Sequence, residues 1–129
     1  MLNYVWVCLG GAIGSGIRFW ISGMIAEGLG QTFPFGTLTV NVTGSFVIGI
    51  LAAMTAPEGR WILTPAARAF LMIGLCGGYT TFSSFSVQTL ALAQEGEWAR
   101  VVMNTLLSVV LCLVAVWLGY AAIALVNKS

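Results

Sequence analysis

The chain has 129 residues, of which 59% are apolar and only 7% charged: five Lys or Arg, four Asp or Glu, and no His. Soluble domains carry about 25% charged residues, so a soluble globular domain is excluded. A net charge of +1 with five scattered basic residues cannot neutralise a run of phosphates, which excludes nucleic-acid binding. Without His or clustered Cys, the usual zinc ligands and the commonest general base are also missing, and the chain reads as a non-enzyme.

Charges fall at positions 18, 27, 58, 60, 68, 95, 97, 100 and 128. The gaps between them are long enough to cross a hydrocarbon core of about 30 Å, which needs about 20 helical residues. The expected fold is all-α: four transmembrane helices over about 2–26, 36–56, 66–93 and 99–126, in one integral membrane domain of residues 1–129.

The first stretch lacks a basic n-region, exceeds a signal-peptide core in length and is interrupted by Arg18, so it is kept as the first helix. Gly10 and Gly14, like Gly74 and Gly78 in the third span, have the small-xxx-small spacing that lets helix backbones approach closely. Arg18 is the charge within a span, where insertion costs about 2.5–3.5 kcal/mol. It can snorkel to an interface as a structural anchor or face a vestibule and attract anions. Trp6, Trp61, Trp98 and Trp117 fall near helix ends, as interfacial rings do. Trp20 is expected deeper or packed on protein. Cys8, Cys76 and Cys112 lie in apolar stretches with no metal or redox spacing and read as small buried apolar residues.

The second span, entered after a short 27–34 connection, carries Thr37, Asn41 and Ser45 at i, i+4 and i+8, on one helical face. An unsatisfied carboxamide in lipid costs several kcal/mol, so Asn41 must face protein or water. Helix-to-helix bonding and pathway lining both remain open for it. A Pro-Glu-Gly-Arg turn at 57–60 leads to the third span.

There, Gly77-Gly78-Tyr79-Thr80-Thr81-Phe82-Ser83-Ser84-Phe85-Ser86 sets two glycines and five Ser or Thr hydroxyls at membrane depth. The glycine pair permits a break near Gly77–Thr80. Broken backbone is tolerated in a membrane only where it is buried in protein or lines a cavity, and the carbonyls it releases can hold a cation. Phe82 and Phe85 share a face at i, i+3, and their electropositive ring edges can solvate an anion without a fixed charge. After the 94–98 connection, the fourth span repeats the polar spacing with Asn104, Ser108 and Cys112. Two matched stripes favour a water- or ion-accessible track over random packing.

Four spans place both termini on one side with Arg60, Arg68 and Lys128, against Arg100 and Arg18 on the other. This is a poor bias for the positive-inside rule, and it permits insertion in both orientations. Four helices of this size also have difficulty enclosing a pathway alone. An antiparallel dual-topology homodimer accommodates both points.

Over its whole length the sequence resembles the Fluc, or CrcB-type, family of fluoride channels. The residues that carry the likeness are Gly10-Gly11-Ala12-Ile13-Gly14 followed by Arg18, Gly36-Thr37-Leu38-Thr39-Val40-Asn41, and the highly specific run from Gly77 to Phe85. The resemblance implies an antiparallel homodimer with two fluoride pores in the bacterial inner membrane. It also implies a structural sodium ion at the dimer centre, on backbone carbonyls that map to Gly77 and Thr80. By the same likeness Asn41 is the pore carboxamide, Phe82 and Phe85 flank the fluoride path, and Ser108 belongs to a polar track on the fourth helix. Thr37, Ser84 and Asn104 are assigned to the pathway with them. Asn104 stands where many relatives carry an aromatic hydroxyl, and Cys112 replaces a hydroxyl.

Two other readings compete. Small multidrug-resistance transporters are also four-helix, dual-topology dimers, but proton-coupled export needs an intramembrane carboxylate, and Glu27, Glu58, Glu95 and Glu97 all fall at span ends. A noncatalytic assembly subunit leaves the third-span motif unexplained.

Overall fold

The computed structural model describes residues 2–56 and 63–128; the turn expected at 57–60 and Trp61 lie outside them. Helix α1 runs Leu2–Leu29 and α2 runs Phe35–Met54. The third span is assembled from α3 (Pro65–Arg68), a π-helix (Ala69–Cys76), α4 (Gly77–Tyr79) and, after Thr80 and Thr81, α5 (Phe82–Gln94). Helix α6 runs Trp98–Lys128. Among the described residues four stretches are long and apolar enough to cross a membrane, Leu2–Leu29, Phe35–Met54, Pro65–Gln94 and Trp98–Asn127, and no strand occurs.

The helix boundaries follow local chemistry. Gly30 ends α1 at φ 81°, a value that glycine adopts without steric cost. Thr64 caps α3 by accepting a hydrogen bond from the Ala67 amide at 3.2 Å, with Pro65 in the first turn, where a missing N–H costs nothing. Past α5, the Glu97 amide reaches back to the Leu92 carbonyl at 2.9 Å and the Gly96 amide to Ala93 at 3.1 Å, with Gly96 at φ 77°. These paired bonds form a Schellman cap, which makes the turn into α6 tight.

The helices pack backbone to backbone, in line with the small-residue spacings. A Cβ added to Gly74 would lie 2.8 Å from the Val7 carbonyl and 3.0 Å from the Gly10 Cα. One on Gly78 would lie 2.9 Å from the Gly11 Cα, and one on Gly14 2.8 Å from the Tyr79 amide nitrogen. Helix α1 therefore lies directly on the first half of the third span. Gly49 and Gly119 serve the same purpose between α2 and α6, where a Cβ on Gly49 would meet the Tyr120 nitrogen at 3.0 Å. Close approach of this kind replaces the hydrophobic drive that lipid cannot supply.

The core is thin, comprising Phe33, Leu38, Val40, Ala53, Ala69, Cys76, Leu92 and Ala115, while the outer faces of α1 and α6 are apolar and exposed. Those faces bear on two sequence expectations. On the single chain Cys8 is exposed on α1 and Cys112 is half-buried, so among the three cysteines Cys76 alone is buried within the chain. Trp20, expected deeper or packed on protein, is 64% exposed on the single chain. Both Cys8 and Trp20 belong to the outward side of α1, which in a membrane meets lipid or another copy.

Candidate functional site

The break sits at Thr80 and Thr81, whose backbones are extended at φ −84°, ψ 157° and φ −153°, ψ 113°. Asn41 holds it open from α2. Its Oδ1 accepts a hydrogen bond from the Thr81 amide at 2.7 Å, and its Nδ2 donates to the Thr81 carbonyl at 3.0 Å. This two-point grip resembles one rung of a strand ladder, made with a side-chain amide. It satisfies the carboxamide at membrane depth and leaves one Nδ2 hydrogen free. The two readings open for Asn41 thus coincide in one residue: it ties two helices together and also lines a groove.

Thr81 then begins α5. Its Oγ1 accepts a hydrogen bond from the Ser84 amide at 3.1 Å and also bonds the hydroxyls of Ser83 and Ser84 at 3.2 and 3.1 Å. This N-cap places the positive end of the α5 dipole, with the amides of its first turn, next to the break.

Two hollows meet at this point. A groove of about 410 Å³ is lined by Asn41, Ser45, Gly77, Thr80, Phe82, Phe85, Ser108 and Cys112, among others. A larger cavity of about 1030 Å³ is lined by Arg18, Ser22, Thr37, Ser84, Gln88 and Arg100, among others. Thr81, only 8% exposed, belongs to both walls. The Thr37, Asn41 and Ser45 stripe is therefore divided, with Thr37 in the cavity and the other two in the groove.

Phe82 and Phe85 lie side by side with ring centroids 5.3 Å apart and planes tilted by 47°. Phe85 is half-buried, whereas Phe82 is 78% exposed and projects away from its own chain. Ser108 is buried at the groove wall. Asn104 lines neither hollow. It is 1% exposed, donates from Nδ2 to the Thr89 hydroxyl at 2.9 Å, and accepts from Ser108 Oγ at 3.5 Å. Asn104 thereby ties α6 to α5 and sets the orientation of Ser108.

Arg18 lines the cavity and donates from Nη1 to the Thr80 carbonyl at 3.3 Å. Among the described residues the one ion pair is Arg100 with Glu97 at 3.6 Å, so the Arg18 charge is not neutralised by a carboxylate. The residue is both a support for the break and a positive charge in the cavity. Lys would keep the charge but lose the planar guanidinium contact. Arg18→Lys is therefore expected to lower the stability of the folded protein by about 1.5–3 kcal/mol, the scale of a hydrogen bond to a charged group. Thermal unfolding in detergent checks this, and flux through the folded fraction should fall by less than its yield.

The profile of the family described as CrcB-like protein, Camphor Resistance (CrcB), matches residues 5–120. The chain belongs to the CrcB-like family. It is 53% identical over 128 residues to a protein of Rhodospirillum rubrum, covering 99% of each chain, and 55% identical over 128 residues to one of Opitutus terrae, covering 99% of this chain and 97% of that one. A third relative, from Methylocella silvestris, is 50% identical over 127 residues, 98% of this chain and 97% of its own. All three are named fluoride-specific ion channel FluC. A CrcB-like chain with four such helices is a multi-pass membrane protein and not an enzyme.

In this CrcB-like chain, sequence reasoning missed Thr81, Gln88, Thr89 and the π-helix. Thr81 had a readable signal, since a Thr three residues before Ser84 at the start of an apolar-aromatic helix is an N-cap pattern. Thr89 lies one turn beyond Phe85 and so on the same face, facing Asn104. Gln88 carries a buried Oε1 with no hydrogen-bond partner, in the wall of the large cavity.

Proposed function

We infer that this chain is a passive fluoride-selective channel that works as an antiparallel dual-topology homodimer in the bacterial inner membrane. The observation that carries the reading is the near-full-length likeness to relatives named as fluoride-specific ion channels. The geometry supports it. The unpaired Arg18 charge in the large cavity, whose wall also carries Arg100 and Glu95, can attract anions, and the helix end at Thr81 with the free Asn41 N–H offers neutral donors. The groove beyond is lined by Phe82, Phe85 and Ser108. On a single chain that groove is an open trough with Phe82 projecting from it, so a second copy packed on this face would close it into a pore. Neutral HF crosses membranes and dissociates in a less acidic cytoplasm, which traps fluoride there; a negative-inside potential then drives the anion out through the channel.

No Asp or Glu lines the groove among the described residues; Glu95 lines the large cavity, from the C-cap of α5 at the end of its span. A proton-coupled exporter of the small multidrug-resistance type needs a carboxylate within the spans, and the groove supplies none. Liposomes containing only this protein are expected to release fluoride and retain chloride when a potassium ionophore clamps the potential. Release of both ions at equal rates, or of neither, sinks the reading.

The antiparallel dimer predicts that single cysteines introduced near Lys128 in a cysteine-free background are labelled from both sides of the membrane. Labelling from one side only in whole cells would exclude it.

A structural sodium ion fits the break. The Thr80 carbonyl and the Gly77 carbonyl belong to residues that line the groove, and carbonyl oxygens suit a hard cation. Two copies would supply four such oxygens, and when bound the ion supplies positive charge that holds the two breaks together. Replacing sodium by N-methylglucamine is expected to weaken dimer stability and flux together. Identical behaviour in the two salts would remove the site.

A further inference from the structure

We propose that Asn41 is the positioning residue of the cation site, keeping the Gly77 carbonyl free by taking the Thr81 amide out of the helical ladder. The proposal rests on the sodium site inferred above and concerns what builds it.

The argument is a count of donors and acceptors around the break. In an α-helix each amide closes on the carbonyl four residues earlier, and the Thr80 amide still does so, donating to the Cys76 carbonyl at 3.0 Å. The next bond in that register would run from the Thr81 amide to the Gly77 carbonyl. The Thr81 amide donates instead to Asn41 Oδ1 at 2.7 Å. Three side-chain donors beside the break are also engaged elsewhere. Thr80 Oγ1 donates to the Cys76 carbonyl at 2.9 Å, Ser15 Oγ to the Gly78 carbonyl at 3.4 Å, and Arg18 to the Thr80 carbonyl at 3.3 Å. None of these reaches the Gly77 carbonyl.

Gly77 is exposed, and a Cβ added there would meet nothing within 4 Å. An unpaired backbone carbonyl at membrane depth is costly, and a cation removes that cost. The Thr80 carbonyl keeps a second lone pair beside its bond to Arg18. A Gly-Gly sequence alone would not produce this arrangement, because glycine allows a break without preventing the Thr81 amide from closing the next turn. The acceptor on α2 prevents that closure. Asn41 would then shape both the anion groove, through its free N–H, and the cation site, through its Oδ1.

The test separates the acceptor from the donor. Full-length purified protein is reconstituted in nanodiscs, and sodium binding is measured directly with radioactive sodium in a background of N-methylglucamine. Asn41→Leu keeps the shape of the side chain and removes both polar atoms, while Asn41→Asp keeps an acceptor for the Thr81 amide. Asn41→Leu is expected to weaken sodium binding by about tenfold or more, the scale of one buried hydrogen bond, and Asn41→Asp is expected to bind sodium at least as tightly as the wild type. Should Asn41→Leu fail to fold, Asn41→Ser, too short to reach Thr81, is expected to show the same loss.

Wild-type sodium affinity in Asn41→Leu or Asn41→Ser would overturn the proposal, as would loss of sodium by a folded Asn41→Asp dimer or a wild-type protein that binds no sodium. The binding assay needs no transport. A wild type that binds sodium through Asn41 and passes no fluoride would therefore remove the channel reading and leave this one standing.

Discussion

Asn41→Asp is expected to abolish fluoride flux. The wild-type carboxamide spends Oδ1 and one Nδ2 hydrogen on Thr81, which leaves one N–H for the groove. An aspartate can be protonated or ionised, and each state removes that donor. If protonated, its O–H takes over the bond to the Thr81 carbonyl and nothing is left to donate. If ionised, it places a negative charge where the anion must pass. Two like charges about 4 Å apart at an effective dielectric of 20 repel by about 4 kcal/mol, which is on the order of a thousandfold in rate. The measurement is fluoride efflux from liposomes carrying purified, dimeric Asn41→Asp, with wild type reconstituted in parallel. Flux at the wild-type rate would place the pathway away from Asn41.

That residue also marks how far the sequence could be read. The charge gaps made four spans legible, because a bilayer tolerates few charges and the chain has few to place. Gly77 and Gly78, with the hydroxyls that follow, made a break legible. The polar stripe of α2 showed that Asn41 needs a partner, but the partner is 40 positions away and no local pattern names it. The π-helix from Ala69 to Cys76 left no trace, since an extra residue per turn changes the hydrogen-bond register and not the composition.

The cap pattern at Thr81 competes with a commoner use of the same residue type. Ser and Thr in membrane helices commonly bond back one turn, as Thr43, Thr55, Ser86, Thr89 and Thr105 do here. Thr81 caps α5 and closes the wall between the two hollows instead. Of the fourth-span stripe, Ser108 and Cys112 line the groove while Asn104 lies behind them on Thr89. Spacing gives the helical face, but whether a residue on that face lines the path or supports it depends on the neighbouring helix.

Phe82→Ile and Phe85→Ile are each expected to slow fluoride greatly, for reasons the structure separates. Isoleucine keeps the apolar character and removes the ring edge, so the substitution isolates the weak electropositive contact from simple hydrophobicity. Conduction needs binding that is strong enough to admit the ion and weak enough to release it, and neutral ring edges beside the single Asn41 donor meet that requirement without a fixed charge. If a ring-edge contact to the anion is on the scale of an aromatic pair, about 0.5–1.5 kcal/mol, losing one should slow flux by up to about tenfold, and losing both should slow it further. Phe85 is half-buried against its own chain, and its replacement should also lower stability. Phe82, exposed on the single chain, touches little of it beyond Phe85. Phe82→Ile should therefore fold and unfold as the wild type does while passing less fluoride. Efflux rates per dimer, together with thermal unfolding of the same preparations, decide the matter. Phe82→Ile conducting at the wild-type rate would leave the ring outside the path, and a loss of stability equal to that of Phe85→Ile would make its role one of packing.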